Sequence, residues 1–195
     1  MAADPADHVI INQVYGGGGK GDTPFSHSFI ELYNPTDDEV NLDGYQLHYS
    51  SNRVQTAEKT HAGSTTPVGG ETQTVTLELS GSIPAHTSFL VRCAAETTEG
   101  AKYTLSTADQ DWEQVIDNDQ TVVLTLTKDD TYVDGVSTRT DSALEGDALA
   151  TNNISKQKSV RRVDFADTDD NGADFELLEW KTANDTFIAD NRPAV

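Results

Sequence analysis

The chain has 195 residues, of which 13 are Lys or Arg and 33 are Asp or Glu, and its formal net charge is −20 at pH 7. The length suits one domain, and the negative charge argues against DNA, RNA or anionic lipid as partners, because binding a polyanion requires a basic patch. No apolar run approaches the roughly 18 residues that a membrane-spanning helix needs, so membrane insertion is not expected.

Short apolar bursts separated by turn residues predict about eight strands and no regular series of helices. The predicted strands cover residues 9–15, 28–33, 45–49, 74–79, 89–95, 121–127, 131–136 and 159–165. Strong turn signals interrupt them, among them the glycine run 16–19, the Asn34-Pro35 pair and the acidic pair Asp129-Asp130. This order is typical of an all-β sandwich, not of a parallel α/β sheet.

Composition along the chain predicts three parts. Residues 1–8 are expected to be a flexible N-terminal segment, residues 9–180 a β-sandwich domain, and residues 181–195 a tail that continues into a larger protein. Within the domain, residues 51–72 are rich in Thr, Ser and Gly, which predicts a long polar loop.

The single cysteine, Cys93, excludes an intramolecular disulfide. In the segment FLVRCAA it shares one strand face with Phe89 and Val91, which predicts a small core residue and not a nucleophile. The densest basic cluster is predicted to be a solvated strand edge; it comprises Lys156, Lys158, Arg161 and Arg162.

Known catalytic patterns are missing from the sequence. None of the five histidines is spaced with another His or Cys as metal ligands are, and the nucleophile elbow Gly-x-Ser-x-Gly does not occur. The sequence therefore predicts that the isolated domain is not an enzyme.

Several segments, in their order, resemble the bacterial form of the lamin tail domain. They are VIINQVY at 9–15 with the four glycines after it, FIELYNPT at 29–36, VNLDGYQL at 40–47, LSGSIP at 79–84 with FLV at 89–91, the valine-rich hairpin 121–136, and SVRR at 159–162 before DTDDNGADF at 167–175. The resemblance implies an immunoglobulin-like β-sandwich of about eight to nine strands. It also implies a secreted or cell-surface protein, in which such domains commonly stand beside nuclease or other hydrolase domains.

Glu31 in the FIELYNPT motif is a candidate polar residue of the core. Ile30 and Leu32 are expected to face the core while Glu31 faces the other way. Glycosidase-type catalysis would need a second placed carboxyl group, so we expect Glu31 instead to accept hydrogen bonds near the Asn34-Pro35 turn.

The best candidate metal site is the acidic stretch DTDDNGAD. Asp167, Asp169 and Asn171 alternate before a glycine as in the first half of a calcium loop, and Asp174 adds a further oxygen ligand. Leu178 stands where the bidentate Glu of such a loop belongs. Both a calcium site and a hydrogen-bonded acidic turn remain open; no other cofactor is predicted.

Three functions follow as hypotheses. The leading one is a non-catalytic module that lies outside the cell or at the cell surface, within a larger secreted protein. It would either attach that protein to a protein or surface ligand or act as a spacer between its other parts. The others are a calcium-stabilised adhesion module and an accessory domain that targets a neighbouring nuclease or hydrolase domain. A further hypothesis is an enzyme whose active site has no recognisable motif, but no residue pattern in the sequence favours it.

Overall fold

The computed structural model describes residues 6–51, 73–116, 123–137, 144–146 and 155–180. These residues form twelve strands and one four-residue helix, α1, at Asn171–Asp174. The strands are β1 Ile10–Tyr15, β2 Phe29–Tyr33, β3 Val40–Asn41, β4 Tyr45–Ser51, β5 Gln73–Glu78, β6 Ser82–Ile83, β7 Ser88–Cys93, β8 Gln110–Trp112, β9 Val123–Lys128, β10 Thr131–Ser137, β11 Lys158–Arg162 and β12 Phe175–Glu179.

Two sheets pack face to face and confirm the predicted all-β sandwich. The larger sheet has the order β12-β11-β1-β2-β7-β8 and is antiparallel except where β7 meets β8, and the smaller one has the order β10-β9-β4-β5. A separate ribbon joins β3 and β6. The strands outnumber the expected eight to nine because β3, β6 and β8 have two or three residues, too few to show an alternating pattern.

The main core lies between the two sheets and is built from strand faces that alternate as predicted. Tyr45, Leu47 and Tyr49 of β4 meet Ile30 and Leu32 of β2 in one buried cluster. Burial of these apolar side chains is the main stabilising contribution to the sandwich.

Cys93 is 1% exposed within this core, which confirms its predicted position. Burial raises the pKa of its thiol, because the interior disfavours the thiolate. A reactive thiolate at neutral pH is therefore not available at this position.

A second aromatic cluster covers part of the opposite face of the large sheet. Its members are Tyr15, Phe25, Phe29, Leu90, Leu105 and Trp180. Phe25 and Trp180 meet edge to face with ring centroids 4.7 Å apart. All six residues of β1 are buried.

The predicted hairpin of β9 and β10 is confirmed, with β9 beginning at the first described residue there, Val123. Asp129 and Asp130 form its turn with φ of 48° and 62°, in the left-handed region that short acidic side chains tolerate.

Asn34 organises the turn that follows β2. Its fully buried side chain donates from Nδ2 to the carbonyls of Ile83 and Asp38, at 2.9 and 2.7 Å, and accepts from the Thr36 N–H at 3.0 Å. One side chain thereby fixes the FIELYNPT motif to the β6 ribbon.

Parts of the sequence predictions lie outside the described residues. They are residues 52–72 of the predicted polar loop, residues 1–5 of the N-terminal segment and the whole tail 181–195. In the described ranges, no helix has the length and apolar character needed to cross a bilayer.

Candidate functional site

Two β-bulges face each other where the sheets meet. The register of β1 shifts between Ile11 and Gln13, and that of β10 shifts between Tyr132 and Asp134. The Ile11 N–H donates to Asp134 Oδ2 at 2.5 Å, so a main-chain group of one sheet binds a side chain of the other. Bulges redirect groups in this way because the extra residue leaves the ladder.

Arg162 at the end of β11 fills the space between these bulges. Its side chain is fully buried; Nη2 lies 2.5 Å from Asp134 Oδ1 and Nη1 lies 3.1 Å from Asp174 Oδ2. Nε donates to the carbonyl of Ile11 at 3.1 Å, and the guanidinium carbon lies 4.5 Å from the centroid of the Phe175 ring. A buried charge persists when its donors are satisfied in this way.

The expectation of a solvated basic edge is therefore wrong for Arg162. Its neighbours are partly exposed as expected, since Lys158 pairs with Glu179 at 2.9 Å and Arg161 lies 3.7 Å from Glu176. Their strand β11 is nevertheless not a sheet edge, because it lies between β12 and β1. Alternation along β11 places Arg162 on the same face as the core residue Val160, a signal present in the sequence.

The residues of the predicted calcium loop have different environments. Asp174 is buried and accepts from the Thr168 N–H at 2.8 Å and the Thr168 hydroxyl at 2.7 Å, besides binding Arg162. Asp167 Oδ1 lies 3.4 Å from Arg162 Nη1. Asp169 is exposed with a φ of 55°.

Asn171, the fourth of these residues, lies at the start of α1 and is fully buried. Its Oδ1 accepts from the Ser137 N–H at 3.0 Å, and its Nδ2 donates to Glu145 Oε2 at 2.6 Å and to the Gly135 carbonyl at 2.9 Å. Its amide oxygen is thus engaged by a backbone donor of β10. Calcium ligation by the four residues stays a prediction.

Among the residues that the structure describes, a different trio of carboxylates forms a cation-binding arrangement. Asp134, Glu145 and Asp167 place one oxygen each within 4.8 Å of one another. Arg162 Nη2 lies 3.7 Å from Glu145 Oε2 and contacts Asp134, while Nη1 lies 3.4 Å from Asp167 Oδ1. The guanidinium therefore supplies a positive charge where a metal ion would, and the cluster joins β10, β11 and the acidic turn.

Electrostatics in this acidic cluster follow from burial. Burial raises the pKa of Asp134 despite the opposing charge of Arg162. Burial together with the negative charge of Asp134 raises the pKa of Glu145, whose Oε1 accepts from the Tyr132 hydroxyl at 2.6 Å. The two carboxyl groups thus bind protons more readily than exposed ones do.

His8 closes the cluster from the N-terminal side. Its Nε2 lies 3.0 Å from Asp167 Oδ2, and this contact raises the pKa of His8 to about 9. Burial opposes ionisation of Asp167, but the hydrogen bond with His8 and the charge of Arg162 leave its pKa below the usual range. The pair is therefore ionised at neutral pH.

Residues 2–140 match the family model of the Lamin Tail Domain. The chain belongs to the lamin tail domain family. No curated protein matches the chain significantly. Lamin tail domains are non-enzymatic modules with an immunoglobulin-like sandwich, which agrees with the two-sheet architecture. His8 and Asp134 lie in the matched region, whereas Arg162 and the acidic turn follow it.

A further feature of this lamin tail domain is a pocket of about 310 Å³ on the outer face of the large sheet. It is lined by Asn12, Gln13, Glu31, Arg161, Arg162, Val163, Asp164, Phe165 and Glu176. Asn12 is 3% exposed and Gln13 is fully buried. Asn12 Oδ1 and Gln13 Oε1 have no hydrogen-bond partner among the described residues. Each buried acceptor without a donor destabilises the folded state by about 1–3 kcal/mol.

Glu31, the polar residue of FIELYNPT, lines this pocket. It is 2% exposed and its Oε1 accepts from the Ser88 hydroxyl of β7 at 2.6 Å. The expectation that it faces away from Ile30 and Leu32 is confirmed, since both belong to the main core. Its predicted hydrogen bonds to N–H groups near the Asn34-Pro35 turn stay a prediction.

A strained turn forms the rim of the pocket. The Ala166 N–H donates to the Val163 carbonyl at 3.0 Å, and Asp164 and Phe165 between them have φ of 53° and 57°. These values fit a type I′ turn, in which glycine is preferred. A phenylalanine in the left-handed region costs about 1–3 kcal/mol, and such strain concentrates at ligand sites.

The Phe165 ring nevertheless holds a defined position. It stacks on Tyr33 with a centroid distance of 3.8 Å and an interplanar angle of 16°. Phe165 is 38% exposed and Val163 is 39% exposed, so an apolar surface borders the polar pocket. Sequence patterns missed this site, because a bulge at Asn12 and a left-handed phenylalanine leave no periodic signal.

Proposed function

We propose that this lamin tail domain is a non-catalytic attachment module that works outside the cell or on its surface, within a larger protein. The single observation that carries the proposal is the pocket on the outer sheet face. Two buried amide oxygens in its lining have no partner among the described residues, and a strained, exposed aromatic residue stands at its rim. Buried unsatisfied acceptors are rare in native structures, and strained backbone clusters at functional sites such as ligand clamps.

The titratable groups support binding over catalysis. The strongly shifted carboxyl groups Asp134 and Glu145 are enclosed with Arg162 in the junction between the sheets. The Cys93 thiol is buried in the core. A catalytic acid, base or nucleophile needs access to a substrate, which these groups lack.

The setting is supported by composition and by the family resemblance. A net charge of −20 favours solubility and disfavours polyanionic partners. The resemblance to bacterial secreted members supports a place beside other domains, in which this module would hold a partner domain near its target.

Surface retention tests the proposal. The domain, fused to a fluorescent protein, is incubated with intact cells of the organism that encodes it, beside Phe165→Gly as the pocket variant and Glu99→Gln as an exposed control outside the pocket. We expect retention of the parent domain and of Glu99→Gln, and reduced retention of Phe165→Gly.

A parallel screen of phosphodiester, ester and glycoside substrates should give no turnover. Retention that is equal in all three proteins would contradict attachment through the pocket. Turnover that survives repurification and disappears with a point substitution in this chain would contradict the non-catalytic assignment.

A further inference from the structure

We propose that the pocket on the outer sheet face receives the guanidinium group of an arginine side chain presented by a partner protein. This inference rests on the proposed attachment function and names the chemistry of the ligand. It begins from the two amide oxygens of Asn12 and Gln13, which are buried acceptors that lack donors among the described residues.

Acceptors without donors select a ligand that donates hydrogen bonds. Gln13 already uses its Nε2 to donate to Ser159 Oγ at 3.2 Å, which fixes the orientation of its amide and leaves Oε1 as the unpaired atom. A guanidinium offers five N–H donors and no acceptor, so it matches a site whose unmet need is for donors.

The charges of the lining favour a cation. Glu31, Asp164 and Glu176 contribute three carboxylates against the guanidinium of Arg161, while Arg162 is enclosed with its own acidic partners. The −20 net charge of the chain adds a long-range attraction for basic partners, which speeds association at moderate salt.

The rim favours a planar cation over a compact one. The Phe165 ring is partly exposed, is held by stacking on Tyr33, and lines the same pocket as Asn12 and Gln13. Guanidinium groups stack on aromatic faces, whereas an ammonium acts as a strongly hydrated point charge. The pocket volume of about 310 Å³ suits a single inserted side chain and is small for a larger ligand.

The test is a ¹⁵N-NMR titration of the domain with a blocked pentapeptide that carries one arginine among glycines. The matched ligands replace the arginine by lysine or by citrulline, the neutral isostere of arginine, and chitotriose serves as a carbohydrate probe. We expect the arginine peptide to shift the amides of Asn12, Gln13 and residues 163–166, with the citrulline peptide about tenfold weaker or more. Added salt should weaken the arginine peptide and leave the citrulline peptide nearly unchanged.

The decisive variant is Phe165→Gly, because glycine is the residue that the turn prefers and the fold should persist. It should lose most of the affinity for the arginine peptide while its melting temperature stays within a few degrees of the parent value. Glu31→Gln should also bind more weakly, whereas the matched Glu99→Gln, outside the pocket, should bind as the parent does.

Three results would overturn the inference. They are equal binding of the arginine and citrulline peptides, binding of chitotriose at the pocket without the arginine peptide, and no pocket shifts with any probe. If Phe165→Gly still loses surface retention in any of these cases, attachment through the pocket stands and the ligand class is wrong. If retention is also unaffected, the proposed function fails with it.

Discussion

Replacing Arg162 by methionine should destabilise the domain far more than the same change at its neighbour Arg161. Arg162→Met removes the ion-pair partner of Asp134 and Asp174, whose side chains are both buried. It also leaves the Ile11 carbonyl without the hydrogen bond from Arg162 Nε. Removal of one member of a buried ion pair costs about 3–5 kcal/mol, because the remaining charge has no counterion. Arg161 lies 3.7 Å from the partly exposed Glu176, and such a surface pair contributes about 0–1 kcal/mol.

Urea unfolding followed by the fluorescence of the two buried tryptophans, Trp112 and Trp180, measures both changes. For a domain of this size, about 3–5 kcal/mol lowers the melting temperature by roughly 6–20 °C. The loss should shrink near pH 5, because the raised pKa values of Asp134 and Glu145 let those groups take up protons there. If Arg162→Met is no less stable than Arg161→Met, the guanidinium does not hold the cluster together.

Three further outcomes follow from other sites. Asn34→Ala should lower the free energy of unfolding by about 2–3 kcal/mol, since it leaves buried carbonyls without donors. Asn41→Ala, at the exposed end of β3, should change it by less than about 1 kcal/mol. Equal losses in urea titrations would argue against the Asn34 bonds. The pKa of His8, raised from 6.5 to about 9, means that its contribution is complete below pH 6.5 and is lost as the pH rises through about 9. Solvent partly screens the pair with Asp167, because the His8 side chain is 32% exposed, so we expect roughly 1–2 kcal/mol. This should be seen as a melting-temperature gap between the parent and His8→Gln at pH 6 that closes at pH 10; a gap that persists at pH 10 would exclude this origin. Duplex DNA at about 150 mM salt should give no change in fluorescence anisotropy, and micromolar binding would contradict the electrostatic reasoning.

Sequence reasoning found the strands because their apolar faces repeat with a period of two. Tyr45, Leu47 and Tyr49 are an example, and all three lie in the core. The family could also be identified from the sequence, through the order of its motifs. The hairpin at Asp129 and Asp130 could be predicted because turn chemistry is local in the chain.

The sites depend on contacts that local patterns cannot show. His8 meets Asp167, and Gln13 meets Ser159, across more than 140 residues of sequence. The burial of Arg162 could have been predicted, because Arg162 lies two residues after Val160 and so on the same strand face. The general preference of charged residues for the surface outweighed that signal. The pocket arises from a bulge in β1 and from Phe165 in the left-handed region. The bulge interrupts the alternation by which strands are recognised, and Phe165 occupies a turn position where glycine is expected.

Thermal unfolding in about 1 mM calcium and in excess EDTA tests most directly whether Arg162 supplies the cation of the acidic cluster. Because the guanidinium already contacts Asp134, Asp167 and Asp174, we expect the two melting curves to coincide, in the parent and in Asp169→Ala alike. A calcium site with a Kd of about 10⁻⁵ M would add about 2.7 kcal/mol under these conditions, which is roughly 5–11 °C. A calcium-dependent rise of that size, lost in Asp169→Ala, would contradict the arginine-filled cluster and favour the calcium-stabilised module.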